Sequence, residues 1–312
     1  NLQFFRKGEP QNGHPWLRCY ITVLPKLKTQ MIFPLSYLDA QELYLPRYPR
    51  QLKGVCTGNR LDPEDIESIS IDIFPHLSPK YVTKVEIASV YLTDHLPDKY
   101  AAPSQKYVDE FGQWTMREWP NKIHNETELK QKILAVEKSV AKAEFPQTWS
   151  RYGGLKALKF DATGFFRVHH DGKRWWFVDP EGYAFLSSGI CCITPSQSGV
   201  YTDMEDLLTW LPDPQGSYGS IYENGHMKRI DYFKANQIRV YGEKWLEKWE
   251  ETTPKMLKAW RFNTIANWSD QNIQEKGGLP YLRHLHGLPN TSTMLYRDFH
   301  DVFSPEFREI AR

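Results

Sequence analysis

The chain has 312 residues and a mass of 36.6 kDa, which is enough for two domains with sizeable cores. Its 39 Lys and Arg residues balance 38 Asp and Glu residues, so charge indicates neither a nucleic-acid partner nor an anionic membrane. Aromatic residues make up 14% of the chain and include 11 Trp, whose flat rings suit protein cores and sugar faces. Composition therefore favours a neutral or weakly charged partner.

The cysteines and the N-terminus say little about the compartment. Cys19, Cys56, Cys191 and Cys192 show neither metal-binding spacing nor the density of a disulfide scaffold. No run approaches the roughly 18 apolar residues of a membrane helix, and no charged start precedes an apolar signal core. The first residue is Asn1 rather than Met, which is compatible with a removed signal peptide.

Residues 2–98 consist of short β-like runs that are broken by Pro, Gly and Asn. The isoleucines of residues 68–74 alternate, and this period of two predicts a half-buried strand with its isoleucines on one face. Residues 84–92 repeat the pattern. Together the runs predict an antiparallel β-sandwich of roughly one hundred residues. Carbohydrate binding and a purely structural role are equal alternatives for it, because a fold does not fix a function.

Residues 98–160 are predicted to connect this sandwich to a second domain through one helix. Asn125 is a helix N-cap, and Glu128 follows three residues later in a start similar to a capping box. An apolar stripe at helical spacing then predicts that the helix packs on a neighbouring domain. The stripe consists of Leu129, Ile133, Val136 and Val140.

Residues 165–189 carry strong turn signals between aromatic runs. Asp171-Gly172 predicts a hairpin with a type I′ turn. Asp179-Pro180-Glu181-Gly182 predicts a second turn, because Pro fixes φ and Gly accepts a left-handed conformation. Residues 183–190 then predict one buried strand, which is expected to begin a larger domain.

The remainder of the chain has the order of a βα repeat. A polar stretch at 194–226 is long enough to predict a functional loop, helical patterns follow up to residue 261, and a β-branched run covers 262–266. This order requires a parallel sheet. The polar tip at 267–270 then lies where such barrels bind ligands. A further β-like run at 278–285 brings the number of predicted barrel strands to three.

Candidate chemistry in the chain is sparse. The acidic residues near predicted strand ends have no pattern typical of a proton donor; they are Asp203, Glu205, Asp206 and Asp270. His284 and His286 alternate along the last run, but two histidines alone favour a polar contact or a hydrogen bond to a sugar over a metal site. The chain has no nucleophilic Gly-x-Ser-x-Gly elbow and no phosphate-binding or dinucleotide-binding loop. No cofactor and no metal are predicted.

Several long segments are specific enough to suggest a family. They read TGFFRVHHDGKRWWFVDPEGYAFLSSG, DEFGQWTMREWPNKIHNETELK, DYFKANQIRVYGEKWLEKWEETT, RFNTIANWSD and LPRYPRQLKGVCTGNRLDPEDI. These segments resemble glycoside hydrolase family 50, the β-agarases, and the resemblance runs from about residue 45 to residue 312. It indicates the N-terminal portion of such an enzyme.

The resemblance implies an α+β multidomain fold. A β-sandwich similar to a carbohydrate-binding module, of jelly-roll type, is expected over 1–97, followed by the connector over 98–160. The hairpin and the first three βα units of a (β/α)8 TIM barrel are expected over 161–312. Three strands alone would leave an open sheet edge, so the remainder of the barrel is an expected partner.

The implied activity is that of a retaining glycoside hydrolase. Such an enzyme cleaves β-1,4-galactosidic bonds in agarose, neoagaro-oligosaccharides or a related red-algal galactan through two glutamates. In barrels of this clan the glutamates follow strands four and seven, so no catalytic residue is expected in this chain. The alternatives are a non-catalytic carbohydrate-binding protein and a β-galactosidase-like enzyme that acts on another galactan. A secreted or periplasmic location is expected.

The residues that resemble the family's NWSD motif are the predicted sugar-binding site. The site consists of Asn267, Trp268, Ser269 and Asp270, together with His286. Trp268 is expected to stack on a sugar or form a wall, and Asn267 and Asp270 to bind hydroxyls or organise the loop. The alternative for Asp270 is that it caps the next turn. Cys191-Cys192 stands where relatives tend to carry Asn or Asp, which leaves a different galactan open.

Overall fold

The computed structural model describes residues 1–9, 14–73, 84–96, 103–223, 225–284, 287–296 and 299–311. Its strands are β1 Leu2–Arg6, β2 Leu17–Tyr20, β3 Val55–Gly58, β4 Ile66–Ile71, β5 Leu155–Lys159, β6 Arg167–His170, β7 Trp175–Val178, β8 Tyr183–Phe185, β9 Gly189–Ile190, β10 Gly199–Val200, β11 Tyr222–Glu223, β12 Arg229–Ile230, β13 Thr264–Ile265, β14 Met294–Tyr296 and β15 Phe299–His300. Its helices are α1 Glu126–Val140, α2 Tyr232–Tyr241, α3 Trp245–Ala259, α4 Gln271–Lys276 and α5 Pro305–Ile310. Among these residues, no helix combines the length and apolarity that crossing a membrane requires.

The chain divides into two compact units, each built from two separate segments. The first unit comprises Asn1–Lys122 and Gly199–Ile230, and the second comprises Ile123–Ser198 and Asp231–Arg312. The chain therefore leaves the second unit after residue 198 and returns to it at residue 231. The predicted domain boundaries after residues 97 and 160 stay predictions.

The first unit contains a four-stranded antiparallel sheet in the order β3-β2-β1-β4. Its core is formed by Phe4, Leu17, Cys19, Leu38, Leu45, Cys56 and Leu61. The antiparallel sheets and helices that the sequence predicts are confirmed. Their arrangement as a two-sheet sandwich followed by part of a TIM barrel stays a prediction.

The three alternating isoleucines of the predicted run, Ile69, Ile71 and Ile73, are not half-buried as predicted. Ile69 lies opposite Phe4, which is part of the core, yet Ile69 is 54% exposed, and Ile71 and Ile73 are exposed as well. β4 is the edge strand of its sheet, and no described residue covers this end of the core face. Phe74, the last residue of the predicted run, lies outside the described residues.

The predicted strand at 84–92 is wrong for the described chain. These residues have no regular structure and are exposed throughout. A β-strand is stable only when its backbone pairs with neighbouring strands, and no described strand forms a ladder with this segment. Alternation of side chains alone therefore did not identify a strand here.

Residues 199–230 form a three-stranded antiparallel sheet in the order β10-β12-β11. The Tyr107 N–H donates to the Leu207 carbonyl at 2.7 Å, which fixes this segment to the first unit. Of the polar stretch that the sequence predicts as one long functional loop, only Gly199–Val200 and Tyr222–Glu223 belong to this sheet, and residues 201–221 between them contain no strand. Its functional role stays a prediction.

Residues 199–230, which leave the second unit and return to it, are called the excursion here. Asp231, the first residue after the excursion, holds its two ends together. Its Oδ1 accepts the Lys234 N–H at 2.8 Å, so Asp231 is the N-cap of α2. Its Oδ2 accepts the Gln197 N–H at 2.9 Å. One buried carboxylate thus joins the points where the chain leaves the second unit and returns to it.

The predicted start of α1 is confirmed. Asn125 Oδ1 accepts the Glu128 N–H at 2.9 Å, and the Glu128 carboxylate accepts the His124 N–H at 3.0 Å. The apolar stripe is narrower than predicted. Leu129 and Val140 are buried, whereas Val136 is exposed, since burial depends on what a helix packs against as well as on spacing.

The predicted hairpin is present as β6 and β7 in a sheet of order β5-β8-β7-β6, but its turn differs from the predicted type I′. The turn spans residues 171–174, and Gly172 alone among them has a positive φ, of 91°. Asp171 Oδ1 accepts the N–H groups of Lys173 and Arg174 at 2.8 and 2.9 Å. These side-chain hydrogen bonds stabilise the observed turn in place of the tighter two-residue type I′ turn.

Asp171 also makes the hairpin sensitive to acid. Hydrogen bonds from the Trp176 indole, Arg174 N–H and Lys173 N–H lower the pKa of Asp171 from its ordinary 3.8. A carboxyl whose folded pKa is lowered stabilises the fold above its unfolded pKa, and this stabilisation is lost as pH falls through the folded pKa. We therefore expect the Trp176 Nε1–H resonance in NMR spectra to keep its neutral-pH position at pH values near 3.8 and to titrate only well below.

Two variants test this assignment. Asp171→Asn should remove the titration of the Trp176 indole, whereas Asp161→Asn, at an exposed carboxyl nearby, should leave it unchanged. A titration midpoint at or above the ordinary 3.8 would contradict the expected stabilisation.

The predicted strand at 183–190 is divided between two sheets. β8 pairs antiparallel with β7, and β9 pairs parallel with β13. Between them, the Leu186 carbonyl and the Ser188 N–H both bond to Asn263, which redirects the chain from one sheet to the other. A second small core in this unit consists of Trp249, Leu257, Ile265, Ile273 and Leu279.

Candidate functional site

Parallel strands bring the predicted site residues to one edge of a sheet. β9 and β13 run parallel with Thr264 opposite Gly189, and Tyr281 adds a parallel bridge to Ile265. The carboxyl ends of parallel strands meet at the same edge. The predicted parallel pairing is confirmed, although the third run contributes a bridge rather than a strand.

Gly189 allows the two strands to approach. A Cβ at this position would collide with the Thr264 carbonyl oxygen. Only glycine fits where another backbone comes this close, so the Ser-Ser-Gly segment before the tip has a packing function.

The amino ends of these strands are held by Asn263, a buried amide that sequence reasoning did not single out. Asn263 Oδ1 accepts the Ser188 N–H at 2.8 Å and the Thr264 hydroxyl at 3.0 Å. Its Nδ2 donates to the Leu186 and Gly153 carbonyls at 2.9 and 3.2 Å. Both lone-pair sites and both N–H groups are used. A polar residue directly before a β-branched run is the one local signal that could have indicated it.

The tips that follow β9 and β13 are joined by hydrogen bonds. The Cys192 N–H donates to the Asn267 carbonyl at 2.8 Å. The Ile193 N–H donates to Ser269 Oγ at 3.2 Å, and the Ile193 carbonyl accepts the Asp270 N–H at 2.8 Å. Residues 191–193 and 267–270 therefore form one continuous surface, which we call the paired tips.

Trp268 presents its ring to solvent from the paired tips. It is 60% exposed, and its ring centroid lies 6.0 Å from that of His284. The backbone is left-handed at Trp268 and at Cys192, with φ of 59° and 58°. Such backbone costs about 1–3 kcal/mol per residue and is concentrated at binding and active sites. The paired tips therefore expose a flat apolar ring on a strained, hydrogen-bonded frame.

Two of the predicted sugar-binding side chains are used within the fold. Asp270 Oδ1 accepts the N–H groups of Asn272 and Ile273 at 2.9 and 3.3 Å, so Asp270 caps α4, which is the alternative role that the sequence left open. Ser269 Oγ holds Ile193, as described above. Trp268 and Asn267 are the members best placed for a ligand, and their sugar-binding role stays a prediction. His286 lies outside the described residues.

The other acidic candidates belong to the first unit. Asp206 pairs with Arg50 at 2.5 Å, and Glu205 pairs with Lys228 at 3.3 Å. Asp203 has a left-handed φ of 56°, typical of a turn. Within the part of the chain that the structure describes, no cluster of three or more His, Cys, Asp or Glu residues could hold a metal ion.

A cleft of about 770 Å³ lies in the second unit beside the amino ends of the strands. Its aromatic lining residues are Phe145, Trp149, Tyr152, Phe166 and Tyr281. Its volume is within the range of small-ligand sites. The lining residues come from four separate parts of the chain, namely residues 144–156, Phe166, Lys258 and residues 274–281, so no local sequence pattern indicates the cleft.

Comparison with known proteins identifies relatives of one kind. The Beta-agarase B of Vibrio sp. strain JT0107 is 26% identical over 360 aligned residues, which cover 98% of this chain and 37% of that protein. The crystal structure of an agarase, AgWH50C, matches 57% of this chain and 29% of its own with a TM-score of 0.54 and 26% identity. The structure of PfGH50B matches 73% of this chain and 33% of its own with a TM-score of 0.52 and 26% identity. No protein-family model matches the sequence.

These matches define the class as β-agarase-like. The chain spans little more than a third of the curated relative, 37% of its length. Within this class the predicted resemblance to glycoside hydrolase family 50 is confirmed, and the share of the relative that is covered fits a portion of a longer enzyme.

Proposed function

We propose that this chain supplies part of the substrate-binding surface of an agarase-type glycoside hydrolase. The observation that carries this proposal is the exposed Trp268 ring on the paired tips, at the carboxyl edge of parallel strands, in a chain similar to a β-agarase over 98% of its length. Ligands of open and closed parallel sheets bind at this edge. Trp268 would stack on a galactose ring while Asn267 bonds a hydroxyl.

The proposed reaction is hydrolysis of β-1,4-galactosidic bonds in agarose, neoagaro-oligosaccharides or a related red-algal galactan with retention of configuration. One glutamic acid protonates the leaving oxygen, and a second glutamate forms the glycosyl-enzyme intermediate that water then cleaves. We assign neither role to a residue of this chain. Its contribution is to bind and orient the sugar, and no cofactor or metal is part of the proposal.

The remainder of a (β/α)8 barrel is the proposed partner of the second unit. The hairpin sheet exposes a row of apolar side chains in which Trp175 is 70% exposed and Val168 and Phe177 are also exposed. Val168 lies directly opposite Phe177, so the row is contiguous on one face. Exposed apolar patches of this kind mark surfaces that another element covers. A β-sandwich for the first unit and a secreted or periplasmic location complete the proposal.

The test is an assay of the full-length polypeptide that carries this chain. We expect it to release oligosaccharides from agarose, with the anomeric configuration of the first product followed by proton NMR. Trp268→Ala should raise KM by about 10-fold or more, which corresponds to one stacked ring at roughly 1.4 kcal/mol. Trp260→Ala, which removes another exposed Trp of the same unit, should leave KM unchanged.

Three outcomes separate the alternatives. Oligosaccharide binding in calorimetry without any cleavage would favour a non-catalytic carbohydrate-binding protein. Cleavage of a galactan other than agarose would keep the reaction and change the substrate. Neither binding nor cleavage of agarose, neoagaro-oligosaccharides and porphyran would contradict the proposed function.

A further inference from the structure

Two buried cysteines of the first unit face each other across neighbouring strands. Cys19 in β2 lies directly opposite Cys56 in β3, and their Sγ atoms are 2.7 Å apart. Both side chains belong to the core of this unit. Closure of a bond of about 2.05 Å would need a shift of roughly 0.7 Å, which a side-chain rotation can supply.

The register places this pair where a cross-strand disulfide fits. The Asn59 N–H donates to the Trp16 carbonyl at 2.9 Å, so Trp16 and Asn59 are a hydrogen-bonded pair, and such pairs alternate along an antiparallel ladder. Three residues further along, Cys19 and Cys56 therefore form a non-hydrogen-bonded pair. The hydrogen bond of the Cys56 N–H supports this assignment, because this group donates to the Leu43 carbonyl at 2.7 Å and not to β2.

Non-hydrogen-bonded pairs bring their Cα atoms to about 4.5 Å, the closest approach in an antiparallel sheet. Disulfides span Cα separations of about 4.4–6.8 Å. The backbone of β2 and β3 is therefore already set for the bond, and no strand has to move. Cys191 and Cys192 are exposed and adjacent in the sequence. They therefore do not face each other across two paired strands as Cys19 and Cys56 do.

We propose that Cys19 and Cys56 form a disulfide bond that joins β2 to β3. The bond forms when one thiolate attacks a disulfide oxidant, either glutathione disulfide or the disulfide of a thiol oxidase, and releases one thiol of it. The second cysteine then displaces the remaining half as a second thiol. Two electrons and two protons pass from the cysteines to the oxidant, and one S–S bond is formed for the one that is broken.

The two thiols of the pair differ in acidity within the folded core. Hydrogen bonding to Cys56 and burial raise the pKa of the Cys19 thiol, while the hydrogen bond from Cys19 lowers the pKa of Cys56. Cys56 is thus the sulfur that ionises first. Because disulfides of this kind persist in oxidising compartments, the proposal also bears on a secreted or periplasmic location, but it does not depend on the proposed activity.

Peptide mapping tests the bond directly. The full-length polypeptide is produced by secretion into an oxidising periplasm, unfolded in guanidinium with excess iodoacetamide, and digested without reduction. We expect mass spectrometry to find one linked peptide that contains Cys19 and Cys56, with Cys191 and Cys192 alkylated. Alkylation of all four thiols, or a link through Cys191 or Cys192, would overturn the proposal.

Thermal unfolding provides a second readout. Addition of reductant should lower the melting temperature of the first unit by about 10 °C, because the bond closes a loop of 37 residues. The double variant Cys19→Ala/Cys56→Ala should not respond to reductant, whereas Cys191→Ser/Cys192→Ser should respond like the wild type. If the first double variant does not fold, the peptide map of the wild type still decides the matter.

Discussion

Replacement of Asn263 by alanine is expected to lower the free energy of unfolding of the full-length protein by about 3–5 kcal/mol. The side chain is buried and makes four hydrogen bonds. Its loss leaves the Ser188 N–H and the Leu186 and Gly153 carbonyls without their partner. The bonds to the Gly153 carbonyl and from the Thr264 hydroxyl are buried, and each buried unsatisfied group costs about 1–3 kcal/mol. Guanidinium denaturation followed by Trp fluorescence measures the change.

Asn272 supplies the matched control for this variant. Its side chain is exposed and makes one hydrogen bond, to Glu250 at 2.9 Å, so Asn272→Ala should cost no more than about 0.5 kcal/mol. Asn263→Asp tests the cause, because it keeps the size of the side chain and replaces two N–H groups by an oxygen that faces carbonyls. Equal stability of Asn263→Ala and Asn272→Ala would show that the buried amide does not hold the strands.

Asp179→Ala is expected to lower the free energy of unfolding by about 3 kcal/mol. Asp179 is fully buried. Its carboxylate accepts the Ser150 hydroxyl at 2.5 Å and the N–H groups of Glu181 and Tyr183 at 3.0 and 2.9 Å. Hydrogen bonds to a charged group are worth roughly 1.5–3 kcal/mol each, and removal of this carboxylate frees both the turn at 179–182 and the segment that starts at Ser150.

Asp171 is a control with the same chemistry and the opposite exposure. It too accepts two backbone N–H groups and one side-chain donor, but in an exposed turn. Asp171→Ala should therefore lower the free energy of unfolding clearly less than Asp179→Ala does. Similar melting temperatures for Asp171→Ala and Asp179→Ala would show that burial of the carboxylate is not what makes Asp179 important.

Local signals in the sequence predicted the local features of the fold. The capping residues of α1 were identifiable because a cap and its partner are three residues apart. Ser304 caps α5 with the same spacing, since its Oγ accepts the Phe307 N–H at 3.1 Å. The turn at 179–182 formed as expected, with Gly182 at a φ of 91°. The parallel pairing of β9 with β13 followed from the order of strands and helices.

Features that depend on distant segments could not be predicted in this way. The exposure of Ile69 depends on what covers the edge of its sheet, and alternation carries no information about that. The hydrogen-bond partners of Asn263 at Leu186 and Gly153 are 77 and 110 residues away. The opposition of Cys19 and Cys56 follows from the register of two strands, which the spacing of the cysteines does not reveal.

At the candidate site, the sequence predicted where residues 267–270 lie, but it did not determine the separate role of each side chain. The NWSD segment follows a parallel strand, as expected. The capping role of Asp270 is local, because its partners lie two and three residues further on, and the sequence had left it open as the alternative. The bond from the Ile193 N–H to Ser269 depends on the neighbouring tip, which a linear pattern does not contain. The same limit applies to the cleft near Tyr152, which four separate segments form.

The excursion that Asp231 closes has a consequence for synthesis on the ribosome. The first unit needs residues 199–230, so it cannot be completed as soon as its N-terminal strands emerge. β9 is synthesised before that segment, whereas its partner β13 is synthesised after it. During translation β9 must therefore wait unpaired while the first unit is finished. The first unit can therefore be completed only after residue 230 has been synthesised, and the second unit, which already includes β9, stays incomplete until β13 follows.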